Sequence, residues 1–367
     1  MAINRLGIRN AELGASVASR SAEVELFRTI YLTEVVKAFQ ENNIMSGLTQ
    51  SRSIANGKSA TFPTFWKTNA HYHVPGVTAD LDGTNEVRHD EIVITCDRVL
   101  MSDIKVAEID ELINHFDVRG MYAEQMGNAL AQAYDKQLMG MAYNATQTVY
   151  DRLADPSAAD NEPAWKGVAR QTTSRAFSSG ANIVQSIYEA LQTLEEYDVP
   201  TQGLVCILKP QEYYLLITDG DGTGTIAINR DYGGSGGISS GVVPSVAGIP
   251  ILKSNNLPTE DFLAGAGIHG HKVNNVPLDE TTSGVVNKDS GVPDAAPGGG
   301  PKYLGDFATA NFKGLILHPT CLGTVKLMDI KYEDEYLIQK QATLMVAKMA
   351  VGHGVLREEA CIALVGT

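Results

Sequence analysis

The fold is decided first by residues 109–145, which read IDELINHFDVRGMYAEQMGNALAQAYDKQLMGMAYNA. Apolar residues recur in this stretch every three or four positions, as they do along one face of an α-helix. A single helix over it would be more than ~50 Å long at ~1.5 Å per residue, far beyond the mean of globular proteins. We therefore predict one long helix with a buried stripe. The stripe consists of Ile109, Leu112, Phe116, Ala123, Met126, Leu130, Tyr134, Leu138 and Met141.

Two glycines of this helix, Gly120 and Gly127, are seven positions apart and so lie on nearly the same face. A glycine in a helix interior costs about 1 kcal/mol relative to alanine, so a pair of them needs a reason. One reason is close packing of another backbone against this face. The other is a bend, because glycine is a recognised place for helices to kink. The sequence leaves both explanations open.

Before the long helix, the sequence predicts an arm and a hairpin. The stretch from Ala22 to Asn42 has the apolar spacing of an amphipathic helix, whose stripe needs a partner in the same chain or in a neighbour. The stretch from Ser46 to Val106 is extended. Within it, residues 57–66 and a segment from Arg88 to Met101 predict two strands with a long turn-rich link between them. A hairpin alone is marginally stable in water, so we expect it to lie on another surface.

After the long helix, the pattern predicts a compact α/β block and a returning β segment. The chain as a whole is therefore predicted to be α+β, and an exposed arm with a long hairpin is typical of a subunit that embraces neighbours. In chain order, the predicted elements are a polar loop from Asp151 to Ser179, a helix from Ile183 to Leu194, a strand from Leu204 to Leu208, a short helix from Pro210 to Leu216, a glycine-rich stretch from Asp219 to Gly241, a strand from Ile249 to Leu252, a loop from Asn274 to Pro301, and strands at Gly314–His318, Gly323–Tyr332 and Thr343–Val351.

The composition excludes several function classes. The chain has 367 residues with 29 basic and 43 acidic side chains, a formal net charge of −14 and a pI near 5.0. This balance argues against a protein whose main task is to grip phosphate backbones. We predict no membrane span, because no run of about 18 apolar residues exists. We also expect no secretion signal, because no basic region followed by an apolar stretch stands at the N-terminus.

The cysteines predict no special chemistry. Cys96, Cys206, Cys321 and Cys361 are widely spaced and form no Cys-x-x-Cys pair. That spacing indicates neither a zinc site nor a disulfide framework. We expect four reduced, buried thiols, since cysteine is among the most buried residue types.

Candidate metal motifs are incomplete. Asp219, Asp221 and Gly224 resemble the front of a calcium loop, but Arg230 stands where such a loop needs a bidentate glutamate. Two histidine pairs would each place two imidazoles on one strand face, whereas a metal needs three or four ligands. We therefore predict no metal and no cofactor. The histidine pairs are His71 with His73, and His269 with His271.

Two motifs suggest catalysis or phosphate binding, but the residues around each lack what that function requires. Residues 233–237 match Gly-x-Ser-x-Gly, which would make Ser235 a nucleophile, but the flanks lack the strand and helix that hold a nucleophile elbow. We interpret this stretch as a flexible loop. Residues 57–59 match the end of a phosphate loop, yet Arg52 occupies the position of its first glycine. We interpret it as the polar start of a strand, and we predict no catalytic residue.

Four segments of the chain together resemble the major capsid proteins of T-seven-like short-tailed bacteriophages. They occur in the right order and span most of the chain, which makes the combination more specific than any one of them. The middle block, from about Asp151 to Pro301, matches mainly in pattern. The four segments are Gly57–Pro63, Ile109–Arg119, Gly323–Asp329 and Ala347–Arg357.

The resemblance implies the HK97-like capsid fold of tailed phages. Its parts would be an N-terminal arm at 1–45, an extended hairpin at 46–106, and a peripheral domain with a spine helix at 107–179. An α/β axial domain would follow at 180–320, and returning strands of the peripheral domain at 321–367.

The resemblance also implies function and partners. Copies of the chain would form pentamers and hexamers of an icosahedral shell around phage double-stranded DNA, without sequence-specific binding. The other partners would be a scaffolding protein and a portal protein, and a decoration protein is a further candidate, with assembly in the host cytoplasm and a final place in the virion capsid. Two alternatives stay open here: a cellular nanocompartment shell of the same fold, and a hydrolase that uses Ser235.

Overall fold

The computed structural model describes residues 17–65, 89–96, 99–113, 119–147, 171–172, 177, 179–196, 198–218, 245–258 and 312–366. The helices in these residues are α1 (Val17–Asn42), α2 (Glu108–Ile113), α3 (Arg119–Gln147), α4 (Gly180–Glu196) and α5 (Pro210–Thr218). The strands are β1 (Gln50–Ser53), β2 (Ser59–Phe65), β3 (His89–Thr95), β4 (Val99–Ala107), β5 (Gln171–Thr172), β6 (Val205–Leu208), β7 (Ser245–Val246), β8 (Ile249–Lys253), β9 (Phe312–Leu317), β10 (Leu322–Leu337), β11 (Ala342–Val355) and β12 (Cys361–Val365).

The described strands form three sheets. A four-stranded sheet has the order β1-β10-β11-β4, and a six-stranded sheet has the order β5-β12-β9-β6-β8-β7. The third sheet is the hairpin of β2 and β3, which pair antiparallel from Ser59 opposite Thr95 to Phe65 opposite His89. Helices and sheets are thus mixed in one chain, as the α+β prediction requires.

Two apolar cores are arranged along α3. The N-terminal half of α3 packs with α1 against the four-stranded sheet, through residues such as Met126 and Leu130. The C-terminal half packs with α4 against the six-stranded sheet, where Tyr143 lies 4.9 Å from Phe312 between ring centroids. α3 has 29 residues and is therefore ~43 Å long, so one helix is part of both cores. A third, smaller core lies under the hairpin.

Most predicted elements of the α/β block are confirmed. The helix predicted from Ile183 to Leu194 is α4, and its apolar spacing buries Ile183, Ile187 and Leu194. The predicted strands at 204–208 and 249–252 are β6 and β8, and the predicted short helix is α5. The predicted loops at 151–179, 219–241 and 274–301 lie almost entirely outside the described residues.

The predicted single helix over 109–145 is described in two parts, α2 and α3, and residues 114–118 between them lie outside the described residues. From Ala123 to Met141 the predicted stripe is buried, but Ile109 is exposed. The predicted stripe is therefore confirmed in α3 and wrong at Ile109.

Two strand predictions are also corrected. The strand predicted from Arg88 to Met101 is two strands, because β3 belongs to the hairpin and β4 to the four-stranded sheet. The last strand, β12, follows the three strands predicted at the C-terminus, and it pairs with β9 in the six-stranded sheet. Its five residues are all buried, and such a short, fully apolar run lacks the alternation that marks a strand in sequence.

Candidate assembly surfaces

The arm helix α1 is docked on its own chain. Gly127 of α3 lies directly beneath it: a Cβ at this position would be 2.5 Å from the carbonyl oxygen of Val35 and 2.8 Å from the Cβ of Ala38. At Gly120 a Cβ would instead meet the carboxylate of Glu34 at 3.3 Å, the end of a flexible side chain. Close backbone packing therefore explains Gly127, and the bend is not needed there.

The docking of α1 extends to the four-stranded sheet. Arg28 donates a hydrogen bond to the carboxylate of Asp334 in β10 at 2.6 Å and a second one to the carbonyl of the same residue at 3.2 Å. One turn later, the ring of Tyr31 lies 5.9 Å from that of Tyr332. The partner that the amphipathic stripe of the arm requires is thus its own subunit.

A buried carboxylate fixes the exit of the arm. Asp135 of α3 is fully buried and accepts hydrogen bonds from the backbone N–H groups of Ile44 and Met45, each at 3.1 Å. Its carboxylate also accepts a hydrogen bond at 3.2 Å from the side-chain amide of Asn256, just after β8. Burial raises the pKa of Asp135 to about 6, and its three hydrogen bonds oppose that rise. One side chain thus joins the spine helix, the arm and the α/β block.

Asp135 was missed in the sequence because charged residues are expected off the apolar face. It lies four residues after Ala131 and three before Leu138, both of which are fully buried to within 1%. An aspartate within the apolar stripe of a helix is the sequence signal that could have identified this contact. Buried carboxylates are rare unless they are hydrogen-bonded, so such a residue predicts hydrogen-bond donors beside it.

A polar network continues from the arm into the four-stranded sheet. The hydroxyl of Thr324 in β10 donates to that of Thr49 at 3.3 Å and lies 3.1 Å from Nδ1 of the buried His353 in β11. The ring of His353 meets Tyr134 edge-on at 4.8 Å, and burial raises the pKa of Tyr134. Immediately afterwards, β1 pairs parallel with β10 from Gln50 onward. The segment between arm and hairpin is therefore held continuously.

The base of the hairpin packs on a small apolar core that includes Val325 and Leu356, and it also approaches the backbone of the four-stranded sheet closely. Three glycines of β10 and β11, namely Gly323, Gly352 and Gly354, form a seat under β3. A Cβ at Gly354 would be 2.7 Å from Ile94, and a Cβ at Gly352 would collide with the carbonyl oxygen of Thr95. The seat lets β3 approach the sheet to backbone contact. This is a close approach of the kind that explains a glycine within a strand.

The opposite face of the hairpin is exposed. Thr61, Pro63, Glu91 and Val93 alternate with the seated residues and face solvent. β2 and β3 each pair with no other described strand, so each has an open edge within the described part of the chain. An open strand edge beside an exposed apolar residue is a surface on which another chain can pair, and proteins otherwise cover such edges.

Two lysines at the end of the six-stranded sheet, Lys209 and Lys313, have polar partners within the subunit. Lys209 donates a hydrogen bond to the carbonyl of Phe312, and burial, with the charge of Lys313, lowers the pKa of Lys209 to about 8. Lys313 lies 3.1 Å from the buried carboxylate of Glu212. These groups stabilise the junction of β6, α5 and β9.

Of the motifs singled out in the sequence, one lies within the described residues. Lys58 accepts a backbone hydrogen bond from Cys96 at 2.7 Å and Ser59 begins β2, so residues 57–59 are the start of a strand, as interpreted. Ser235, both histidine pairs and the 219–230 motif lie outside the described residues. Among the described residues, no group of three or more candidate ligands could hold a metal, and no helix is long and apolar enough to cross a membrane.

All four cysteines are buried and none forms a disulfide. Cys361 donates a weak hydrogen bond to the carbonyl of Ala142 at 3.6 Å. Burial raises the pKa of Cys206 to about 12, so this thiol stays protonated. The prediction of four buried thiols outside any disulfide is confirmed.

The chain is similar to known capsid proteins over nearly its whole length. The major capsid protein of Escherichia phage T7 is 28% identical over 356 residues, which are 96% of this chain and 95% of that protein. Among solved structures, the capsid of the cyanophage P-SCSP1u has a TM-score of 0.63 at 28% identity and covers 89% of this chain and 88% of its own. The mature capsid of bacteriophage PhiM1 has a TM-score of 0.62 at 16% identity, covers 88% and 86%, and shows the fold alone.

The family itself is shown by a direct match. A model of the Gp10A-like major capsid proteins matches residues 61–262 and 259–365, from the hairpin to the last strand. The resemblance of the four sequence segments and the HK97-like fold are therefore confirmed. The chain belongs to the Gp10A-like major capsid protein family, and it is a structural shell protein rather than an enzyme.

Proposed function

We propose that copies of this chain form pentamers and hexamers that close into an icosahedral shell around phage double-stranded DNA. The observation that carries the proposal is the hairpin of β2 and β3, which is seated on its own subunit by one face and offers the other face and two edges. A two-stranded sheet is marginally stable alone, so its exposed backbone groups favour contact with a neighbouring subunit.

The division into parts is proposed with one amendment. We keep the arm at 1–45, the hairpin at 46–106, the peripheral domain at 107–179, the axial domain at 180–320 and the returning strands at 321–367. Because β12 pairs with β9, we propose that 361–365 belong to the axial domain. The chain would then cross from the peripheral to the axial domain twice, after residue 179 and after the end of β11.

We further propose a scaffolding protein, a portal protein and a decoration protein as partners, with assembly in the host cytoplasm. The net charge of −14 supports a shell that encloses DNA without gripping it, because tight phosphate binding requires a basic surface. A weakly held genome can be packed and released more easily.

The function is tested by expressing the chain in bacteria, with and without the scaffolding gene, and by examining the product by size-exclusion chromatography and electron microscopy. Closed shells with five-fold and six-fold clusters are expected. A product that remains a small oligomer under both conditions contradicts the proposal.

The hairpin is tested by replacing residues from Asn69 to Asp90 with a short Gly-Ser link. The variant should fold, because the cores along α3 are formed by described residues outside this range, and it should form no shells. Circular dichroism and thermal melting of dissociated subunits control for folding. Normal shells from this variant would mean that the hairpin is not a contact between subunits.

A further inference from the structure

The loop between β1 and β2 contains Asn56 followed by Gly57, which is the only Asn-Gly pair in the sequence. Both residues are exposed. Asparagine is a thermolabile residue, because its side-chain carbonyl carbon can be attacked by the backbone nitrogen of the next residue. A following glycine favours this attack, since it has no side chain beside that nitrogen and restricts the backbone least.

The geometry of the pair leaves the attacking nitrogen available. The φ of Gly57 is +105°, a conformation that residues with a side chain rarely adopt, and a Cβ at this position would have nothing within 4 Å. Neither Asn56 nor Gly57 forms a hydrogen bond with any described residue. Most backbone N–H groups of folded proteins are hydrogen-bonded, and such a bond would hold the nitrogen away from the side chain of Asn56.

Asn255 provides a contrast within the same chain. It is exposed and, like Asn56, forms no hydrogen bond with a described residue. The next residue, however, is Asn256, whose backbone N–H donates to the hydroxyl of Ser254 at 3.1 Å. The nitrogen that would attack Asn255 is therefore engaged, and it belongs to a residue with a side chain. The two sites differ in the attacking nitrogen and not in exposure.

We propose that Asn56 is a site of spontaneous deamidation and that its isoaspartyl product loosens the base of the hairpin. The backbone nitrogen of Gly57 attacks the side-chain carbonyl carbon of Asn56, and a C–N bond forms. The amide nitrogen leaves as ammonia, carrying the proton that the nitrogen of Gly57 gave up, and the product is a cyclic succinimide. Water then adds to one of the ring carbonyls and opens the ring, to aspartate or to isoaspartate. No oxidant or reductant takes part.

The loop is held at both ends, so a change in its length reaches the hairpin. The backbone N–H of Ile54 donates to the carbonyl of Lys326 in β10 at 2.9 Å, and the carbonyl of Lys58 accepts a hydrogen bond from the backbone N–H of Cys96 at 2.7 Å. Isoaspartate carries the main chain through the former side chain and lengthens it by one methylene between these two anchors. Because Ile54 also packs against the small core under the hairpin, we expect the bond between Lys58 and Cys96 to be lost first.

The site is tested on the full chain, incubated at physiological temperature and sampled over days. Peptide mapping by mass spectrometry separates amide from acid at each asparagine, and a protein isoaspartate methyltransferase labels the isoaspartyl product. Asn56 should convert about tenfold faster than Asn255, because a factor of ten in rate corresponds to about 1.4 kcal/mol in the barrier, the size of one hydrogen bond. The rate should rise with pH, since the attacking nitrogen must lose its proton.

Asn56→Gln is the matched control for the chemistry. Its longer side chain would have to close a larger ring, so methyltransferase labelling at residue 56 should be lost. The substitution is at an exposed position without hydrogen bonds to described residues, and thermal melting should give the same midpoint as for the unaltered chain.

The effect on the hairpin is measured by hydrogen exchange of the isoaspartyl fraction, separated by ion-exchange chromatography, with fresh protein as the reference. The amides of Cys96 and β2 should lose protection, while those of α3 should keep theirs. Asn56→Asp supplies the charge of the product with an ordinary main chain and should leave the protection of the hairpin unchanged.

Two results overturn the inference. Conversion of Asn56 no faster than that of Asn255 shows that the loop does not favour the reaction. Unchanged protection in the isoaspartyl fraction, or an equal loss in Asn56→Asp, shows that a longer main chain in the loop does not loosen the hairpin. Both measurements are made on the chain itself and need no shells, so their failure is distinguishable from a failure of the proposed function.

Discussion

The arm and the hairpin are both extended elements, yet they are docked in different ways. The arm contacts its own subunit from Arg28 to Met45, through Gly127, the ion pair of Arg28 with Asp334, and the carboxylate of Asp135 at its exit. The hairpin is docked through one face of its base, on the glycine seat. The comparison indicates that this part of the arm belongs to the folding unit, while the described part of the hairpin is attached through one of its faces. The following changes test that difference.

The largest effect is expected at the hairpin seat. Gly352→Ala places a Cβ against the carbonyl oxygen of Thr95 and 3.1 Å from Sγ of Cys96, and backbone cannot yield as a side-chain end can. Overpacking of this kind costs roughly 1–3 kcal/mol and occasionally more, and we expect the upper end. Because the described part of the hairpin is attached through one of its faces, its base should detach while the cores along α3 persist.

Hydrogen exchange measures the outcome at the seat. Amides of β2 and β3 should lose protection in Gly352→Ala, and those of α3 and α4 should keep theirs. Loss of protection throughout the chain would break the comparison, since it would make the hairpin part of the folding unit. Ala350→Gly, on the neighbouring part of β11, serves as a control for a backbone change away from β3.

A pH effect of about 3 kcal/mol is expected at the arm exit. The pKa of Asp135 rises from 3.8 to about 6 on folding, and each unit corresponds to roughly 1.4 kcal/mol. The folded state holds this proton more tightly, so the stabilisation is complete below pH ~4 and is lost as the pH rises through ~6. Urea unfolding of dissociated subunits between pH 4 and 7 measures it.

Asp135→Asn is the matched variant for the pH effect. It keeps the size of the side chain and removes the titration, so its unfolding free energy should vary less between pH 4 and 7 than that of the unaltered chain. Parallel pH profiles of the two proteins would show that Asp135 does not titrate in this range. They would also weaken the view that the arm exit is an integral part of the core.

A moderate effect is expected where the arm crosses the spine helix. Gly127→Ala gains about 1 kcal/mol of helix propensity, but it forces the new Cβ to within 2.5 Å of the carbonyl oxygen of Val35. The steric cost of roughly 1–3 kcal/mol should exceed the gain. Denaturant unfolding of subunits should show a net loss of up to about 2 kcal/mol. A gain in stability would mean that α1 is easily displaced, and the arm would then resemble the hairpin.

Amphipathic helices were predicted well from the sequence, whereas contacts between segments distant in the chain were predicted poorly. The spacing of Ile183, Ile187 and Leu194 was sufficient to place α4, because an amphipathic period depends only on local residues. The split of Arg88–Met101 between two sheets could not be predicted, since strand pairing depends on residues such as Lys348, far away in the chain. The glycine seat and the Asp135 contacts arise in the same way, from segments separated by 90 residues or more.

The smallest effect is expected at Gly120, which shares its helix face with Gly127 and therefore gives a matched pair. A Cβ at Gly120 would lie 3.3 Å from a carboxylate oxygen of Glu34, an atom at the end of a side chain that can rotate away. The gain in helix propensity is about 1 kcal/mol, and little steric cost opposes it. Gly120→Ala should thus raise the unfolding free energy by up to about 1 kcal/mol, whereas Gly127→Ala lowers it. If both alanines stabilise the subunit and both shift the temperature at which assembled shells change their size on heating, the two glycines act as a bend. If only Gly120→Ala stabilises and that temperature is unchanged, packing of the arm explains Gly127, and Gly120 is tolerated at the open end of the same contact.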